Sequence, residues 1–315
     1  MGTIPNTSFI LSHITIICNL ISFLTSPPSP LRHGEGSLLY PLSKRSLRSR
    51  GIPLPLWGRG TRGNDTHEPF AASESFGSKW GREYINRYEG EVSYVDHYFG
   101  AVLKEIEKRG LTKDTLVVAT SDHGSEFLEH GSHEKKLNLY EEISRVPLIM
   151  RFPGVLPEGK KIEGLCQTVD IAPTILDICS LPIPEWMDGE SLLPRIRDER
   201  GAKPPGYVVA HTLHETIYLY EHFSIRDNRY KFIRTSPLSK RPERLPGEIG
   251  KRFERLASVA QLGDDGMWRE LYDLEDDPGE TRNIISSRPR VASRLERELN
   301  EFIRSFSYNP KVRRS

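Results

Sequence analysis

The stretch Thr115-Leu-Val-Val-Ala-Thr-Ser-Asp-His-Gly124 decides the architecture. Its first six residues are short, apolar and β-branched, the pattern of a strand buried in a parallel sheet. The chain then turns abruptly polar. Upstream, Val92, Val95, Phe99, Val102, Leu103 and Ile106 recur mostly at steps of three and four. That is one face of an amphipathic helix, with Gly110 as its stop after Lys108 and Arg109. Downstream, Val146-Pro-Leu-Ile-Met-Arg-Phe152 reads as a second strand, ended by Pro153-Gly154. A helix is expected over Ile171 to Cys179, with Asp170 as N-cap and Pro173 in the first turn. Helix, strand, polar loop, strand, helix is α/β alternation.

The last third has a different rhythm. Tyr207 to His211, Phe223 to Arg226 and Tyr230 to Arg234 read as short strands, with Asp227-Asn228 as a hairpin turn. Trp268 to Leu274 is a further extended piece, Asp276 to Glu280 a tight turn, and Val291 to Phe306 a closing amphipathic helix. The expected fold is an α/β core carrying a small C-terminal antiparallel sheet and terminal helix.

The 315 residues hold 44 Lys+Arg against 43 Asp+Glu, so bulk charge does not mark a nucleic-acid or polybasic membrane binder. The average conceals a boundary near Asn64. Residues 1–64 carry seven Lys/Arg and one acid, with 14 Pro and Gly, whereas the remainder is net acidic. Within them, Ser8 to Thr25 is apolar and uncharged, at the lower edge of a membrane span. Ser8, Ser12, His13, Asn19 and Ser22 weaken that reading, and residues 1–7 lack the basic start of a secretory signal. The segment from Ser26 to Gly63 is broken throughout by Pro, Gly, Ser and Arg and reads as irregular. The expected division is 1–64 as an atypical segment, 65–200 as a partial α/β core, and 201–315 as the C-terminal subdomain. Cys18, Cys166 and Cys179 form no C-x-x-C pair, which excludes a zinc ribbon or thioredoxin-type motif.

In open α/β sheets ligands sit at the carboxyl ends of strands, and Asp122 and His123 fall there. A carboxylate beside an imidazole offers oxygen and nitrogen ligands to a divalent cation. His130, His133, Lys135 and Lys136 follow before Leu137. A cation, lysines and imidazoles together favour an anionic substrate and can stabilise charge on a transferring oxyanion. The competing reading is an ordinary capped turn followed by a solvated charged loop.

Several blocks in order resemble the second half of a sulfatase, of the alkaline-phosphatase-like superfamily. They are Tyr88 to Asp96, Asp114 to Gly124, Glu129-His-Gly131, Leu139-Tyr-Glu-Glu142, Arg145 to Ile149, Val169 to Asp177 and Gly189-Glu-Ser-Leu192. Glu270-Leu-Tyr-Asp-Leu274, Asp277-Pro-Gly-Glu280 and Asn283 complete the pattern. The resemblance implies a partial alkaline-phosphatase-like sandwich core and metal-dependent hydrolysis of a sulfate ester. It implies calcium as cofactor, with Asp122 and His123 as ligands. It implies a sulfate-contacting lysine, which counting back from Tyr140 places at Lys136 and counting forward from His130-Gly131 places at Lys135. In Thr66-His-Glu-Pro-Phe70, His67 resembles the family histidine that contacts the sulfate ester and serves as an acid. A sulfated small molecule or glycan is the implied partner, with no role for nucleic acid or membrane, and the family leans to a periplasmic or extracytoplasmic setting.

Two family features do not occur in the sequence. The nucleophile is a formylglycine made from Cys or Ser in C/S-x-P-x-R, and none of the three cysteines is followed by that pattern. Ser26-Pro-Pro-Ser-Pro30 begins like the serine form but has Pro30 where Arg is needed. The family's N-terminal acidic metal ligands have no counterpart, since no Asp precedes Asp65. The chain is therefore expected to be a truncated sulfatase, inactive as it stands. A phosphonate or phosphate ester hydrolase of the same superfamily, and a non-catalytic remnant or anion-binding module, remain open alternatives.

Overall fold

A computed structural model describes residues 15–18, 84–130, 138–213, 220–237 and 258–305. They fall into two compact units that interleave along the chain. The first comprises Met1–Asp122 and Pro147–Gly159, the second His123–Val146 and Lys160–Ser315.

In the first unit, α1 spans Tyr84–Lys108. Phe99, Val102, Leu103 and Ile106 are half-buried, whereas Val92 at the edge of the same stripe is 43% exposed. The helix stops as expected. Gly110 takes φ +70°, its N–H donates to the Glu107 carbonyl, and the Leu111 N–H reaches back to Ile106. That paired closure needs a left-handed residue, which glycine adopts without steric cost. The chain then enters β2 (Val117–Thr120), with Leu116, Val117 and Val118 buried. β2 is the middle of a three-stranded sheet. It pairs in parallel with β1 (Thr15–Cys18), Thr15 opposite Val117, and antiparallel with β3 (Leu148–Arg151), Val117 opposite Arg151. The parallel partner expected of β2 thus comes from β-branched Thr-Ile-Ile within the apolar stretch near the N-terminus. Among the described residues no helix is long and apolar enough to cross a membrane.

The second unit contains α2 (Glu141–Ser144), α3 (Ile171–Ile178), α4 (Leu193–Ile196) and a five-stranded antiparallel sheet. Asp170 precedes α3 as expected but does not cap it. Residues Thr168–Asp170 form a 3₁₀ turn, and the buried Asp170 carboxylate accepts the N–H groups of Gln167 (2.8 Å) and Glu190 (3.0 Å). Thr174 then donates to the Asp170 carbonyl and accepts the Leu192 N–H. Gly189 fits because a Cβ there would lie 2.1 Å from the Val169 carbonyl oxygen. The Val169–Asp177 and Gly189–Leu192 blocks are therefore two halves of one hydrogen-bonded joint.

The sheet runs β4 (Val208–Leu213), β5 (Tyr220–Arg226), β6 (Tyr230–Pro237), β8 (Trp268–Asp273), β7 (Gln261–Leu262) in spatial order. β5 and β6 are joined at Asp227, whose Oδ1 accepts the N–H groups of Arg229 and Tyr230. This side-chain turn is why Asp and Asn mark hairpins in sequence. Register gives each face of the sheet a separate task. The row Val209, Ile225, Phe232, Leu271 faces α5 (Pro289–Ser305) and builds the core with Ala292, Leu295 and Leu299. The alternate rows place Arg226, Lys231, Glu270 and Tyr272 on the other face.

Candidate active site

Asp122 ends the first unit and His123 begins the second, immediately beyond β2. The Asp122 side chain is exposed, and the Ser121 hydroxyl lies 3.4 Å from its Oδ1. His123 is half-buried, with Nδ1 2.8 Å from the Gly124 carbonyl oxygen. A carbonyl only accepts, so Nδ1 is the donor in this contact. A backbone carbonyl at one ring nitrogen is the kind of contact that orients an imidazole in metal sites. The donor chemistry of the pair fits a divalent cation. Calcium takes six to eight oxygens, so one carboxylate and one imidazole make only part of a shell. Lys136, Lys135, His133 and His67 lie outside the described residues.

Gly124 serves the turn in a way composition does not reveal. Its φ is not in the left-handed region. Instead, a Cβ would sit 1.8 Å from the Glu142 carbonyl oxygen, while the Gly124 N–H donates to Ile143 at 2.9 Å. The requirement is close approach of two backbones. Gly124→Ala is expected to destabilise the second unit by about 1–3 kcal/mol through overpacking. Chemical denaturation with unchanged slope would measure it, and an unaltered midpoint would contradict the close approach.

The strand of chain that Gly124 touches is held from below by the sheet. Tyr140 is buried, its ring stacks on His130 at 3.7 Å, and its hydroxyl donates to Glu270 at 2.7 Å. The Tyr272 hydroxyl donates to the same Glu270 oxygen. Burial first, and then the Glu270 charge, push the Tyr272 phenol far above its ordinary value and keep it a donor. Next to it, Lys231 is 1% exposed and lies 3.1 Å from Glu141 and 3.2 Å from Glu280. Arg226 also binds Glu141, and the Glu280 carboxylate accepts the Glu141 N–H at 2.5 Å. Burial opposes ionisation of Glu141, but Lys231 and Arg226 outweigh it and hold the carboxyl below its usual value. For Glu280 burial wins over Lys231 and pushes the carboxyl up to about 7.

Three of these residues also form a group of metal-ligating type. Nε2 of His130 is 2.9 Å from Glu142, and ligand atoms of His130, Glu142 and Glu280 all lie within 4.8 Å of one another. Lys231 already supplies a positive charge at Glu280, so a metal ion there would have to displace a buried lysine. The cluster is better explained as the ionic support of the Leu139–Ser144 segment. Sequence motifs pointed to these blocks, but nothing in them signalled that Tyr140 meets Glu270, or Glu141 meets Glu280, across more than a hundred residues. Lys231, the charge at the centre, sits in an alternating strand and carried no motif.

Comparison with known proteins accounts for the order of the blocks. The family model described as Sulfatase matches residues 60–181, and that described as N-sulphoglucosamine sulphohydrolase, C-terminal, matches residues 128–241. An N-acetylglucosamine-6-O-sulfatase of Bacteroides thetaiotaomicron is 31% identical over 204 residues, 65% of this chain and 32% of that protein. Arylsulfatase K of Bos taurus is 30% identical over 222 residues, 69% of this chain and 36% of that protein. The chain thus spans about a third of the length of these curated relatives. A structure solved in complex with its substrate D-glucosamine-2-N,6-O-disulfate is 28% identical, with a TM-score of 0.56 over 72% of this chain and 42% of that one. A phosphonate monoester hydrolase of Agrobacterium radiobacter, 20% identical with a TM-score of 0.55, shares the fold. Residues 60–241 of this chain therefore belong to the sulfatase family, and with its closing sheet and helix the chain carries a C-terminal part of the alkaline-phosphatase-like fold.

Proposed function

We propose that this chain is the sulfate-binding C-terminal portion of a sulfuric ester hydrolase that acts on a sulfated sugar. The observation that carries the reading is the Asp122-His123 pair at the carboxyl end of β2, with Nδ1 of His123 directed to the Gly124 carbonyl. The sulfated-sugar class is drawn from the N-acetylglucosamine-6-O-sulfatase and the glucosamine disulfate complex among the relatives.

Asp122 and His123 would hold calcium. A bound calcium supplies positive charge against the sulfate oxygens. Lys136, further along the chain, adds a second positive contact, and His67 is suited to protonate the leaving oxygen. The 315 residues contain no C/S-x-P-x-R, so they do not fit a formylglycine and no attacking step is assigned to them. The chain alone should bind sulfate without turning over a sulfate ester.

Calorimetric titration of inorganic sulfate in the presence of calcium tests this. Lys136→Ala should weaken binding about tenfold, the size of one charge-assisted hydrogen bond. An aryl sulfate should be hydrolysed no faster than in buffer. Equal affinity of the wild-type and Lys136→Ala chains would remove Lys136 from the site. Preference for phosphate over sulfate would favour the phosphonate or phosphate ester alternative, since both ions are tetrahedral oxyanions.

A further inference from the structure

The helix α2 (Glu141–Ser144) is a single turn, too short to be stable by itself, because a first turn fixes several residues for very few hydrogen bonds. Side chains from far along the chain hold it instead. The Glu141 N–H, which has no partner within the helix, donates to the Glu280 carboxylate at 2.5 Å. Glu280 is 1% exposed, and its other oxygen lies 3.2 Å from Lys231. Lys231 in turn donates to the Ser144 hydroxyl at 3.1 Å, at the far end of the turn. The last carbonyls of α2 also lack helical partners. That of Ile143 accepts the Gly124 N–H at 2.9 Å, and the Gly124 carbonyl accepts from Nδ1 of His123 at 2.8 Å. An unbroken run of contacts therefore leads from Glu280 through α2 and Gly124 to the His123 ring.

We propose that Glu280 is a positioning residue for His123: by seating α2 it sets where the Ile143 carbonyl stands, and with it the Gly124 turn that orients the imidazole. The run is stiff at its narrowest point. A Cβ on Gly124 would lie 1.8 Å from the Glu142 carbonyl oxygen, so these two backbones are packed too closely for one to shift without the other. The reach of the Glu280 side chain matters here more than its charge. Lys231 and Arg226 both hold the Glu141 carboxylate, but the Glu141 backbone N–H has Glu280 as its acceptor. A buried N–H left without an acceptor is costly, so α2 should move to recover one when Glu280 is shortened. That His123 is a metal ligand rests on the reading above. The run of contacts does not.

The experiment records the carbon–proton NMR signals of the histidine rings in the whole chain, with His123 assigned by the signal lost in His123→Gln. Glu280→Asp shortens the reach by one methylene, keeps a carboxylate beside Lys231, and tolerates the φ of +50° at this position. It should displace or broaden the His123 signal. Glu280→Gln keeps an oxygen that accepts from Glu141 and should leave the signal where it is in the wild type. Ile225→Val loosens the core on the opposite face of the sheet, against α5, and should also leave it in place. An unmoved signal in Glu280→Asp, or an equal displacement in Ile225→Val, would overturn the positioning role. Calorimetric titration of calcium supplies the second readout. Affinity should fall about threefold to tenfold in Glu280→Asp, the worth of one hydrogen bond, and stay within about twofold of wild type in Glu280→Gln. Undiminished affinity in a chain whose His123 signal has moved would overturn the link to metal binding. If the wild-type chain binds no calcium, the reading of His123 as a ligand fails and the ring signal alone decides the positioning.

Discussion

Lys231→Met is expected to lower the stability of the second unit by about 3–5 kcal/mol at pH 8, the cost of leaving buried carboxylates without their cation. Methionine keeps the length of the side chain, so the loss reports charge more than volume. Lys231 is the shared partner of Glu141 and Glu280, and its ammonium also donates to the Ser144 hydroxyl at 3.1 Å. Arg226 continues to neutralise Glu141 in the variant, but no described ion pair other than Lys231 is seen at Glu280. For a unit of this size the melting temperature should fall by about 10 °C. The double variant Lys231→Met with Glu280→Gln should recover much of the loss, because the orphaned charge goes with its partner. Additive losses in the double variant would show that the two residues are not coupled.

The second large effect is a pH dependence. The Glu280 carboxyl is raised from 4.5 to about 7, chiefly by burial. Between those values the folded chain binds the proton and the unfolded chain does not. Stability from this group is therefore fully present below pH 4.5 and is lost as pH rises through about 7. The loss is about 3 kcal/mol, since each tenfold change in proton affinity is worth roughly 1.4 kcal/mol. Glu141 and Glu142 are displaced the other way, because Lys231 with Arg226, and His130, outweigh the burial of each. Their contribution is present above the unfolded value and lost as pH falls below about 4.5. Urea midpoints of the wild-type chain should thus decline from pH 5 to 7, and Glu280→Gln should flatten that decline. A wild-type profile already flat across this window would refute the assignment. The same protonation predicts that Lys231→Met is less damaging at pH 5 than at pH 8.

These residues show where sequence is legible and where it is not. Alternating and helical periods depend on neighbours a few residues apart, so α1, β2, the β5–β6 hairpin and α5 could be read directly. Gly110 could be read because a helix end needs a left-handed residue, and φ +70° is what it adopts. The need for glycine at 124 is not legible, because its reason, a backbone 1.8 Å from where its Cβ would be, depends on residue 142. Asp170 shows the same limit. It looked like an N-cap, yet its carboxylate is occupied by Gln167 and Glu190, and Glu190 is twenty residues away. β1 is not legible because its four residues lie in a continuous apolar stretch, where no alternation marks a strand. The β7 and α4 pieces, of two and four residues, fall below any sequence period. The ion network is the extreme case, since Lys231 and Glu280 take their meaning from contact with residues far away in sequence. Glu280 even adopts φ +50°, an uncommon conformation for its type, which the buried contacts of its side chain hold in place.

Asp122 and His123 are proposed to make this chain a calcium-linked sulfate binder. Titration of inorganic sulfate into the chain by calorimetry, once with calcium and once with a chelator, decides it. Calcium should tighten sulfate at least about tenfold, the worth of a favourable charge contact near 1.4 kcal/mol, and Asp122→Ala should abolish the difference. Equal sulfate affinity with calcium and with chelator would contradict it.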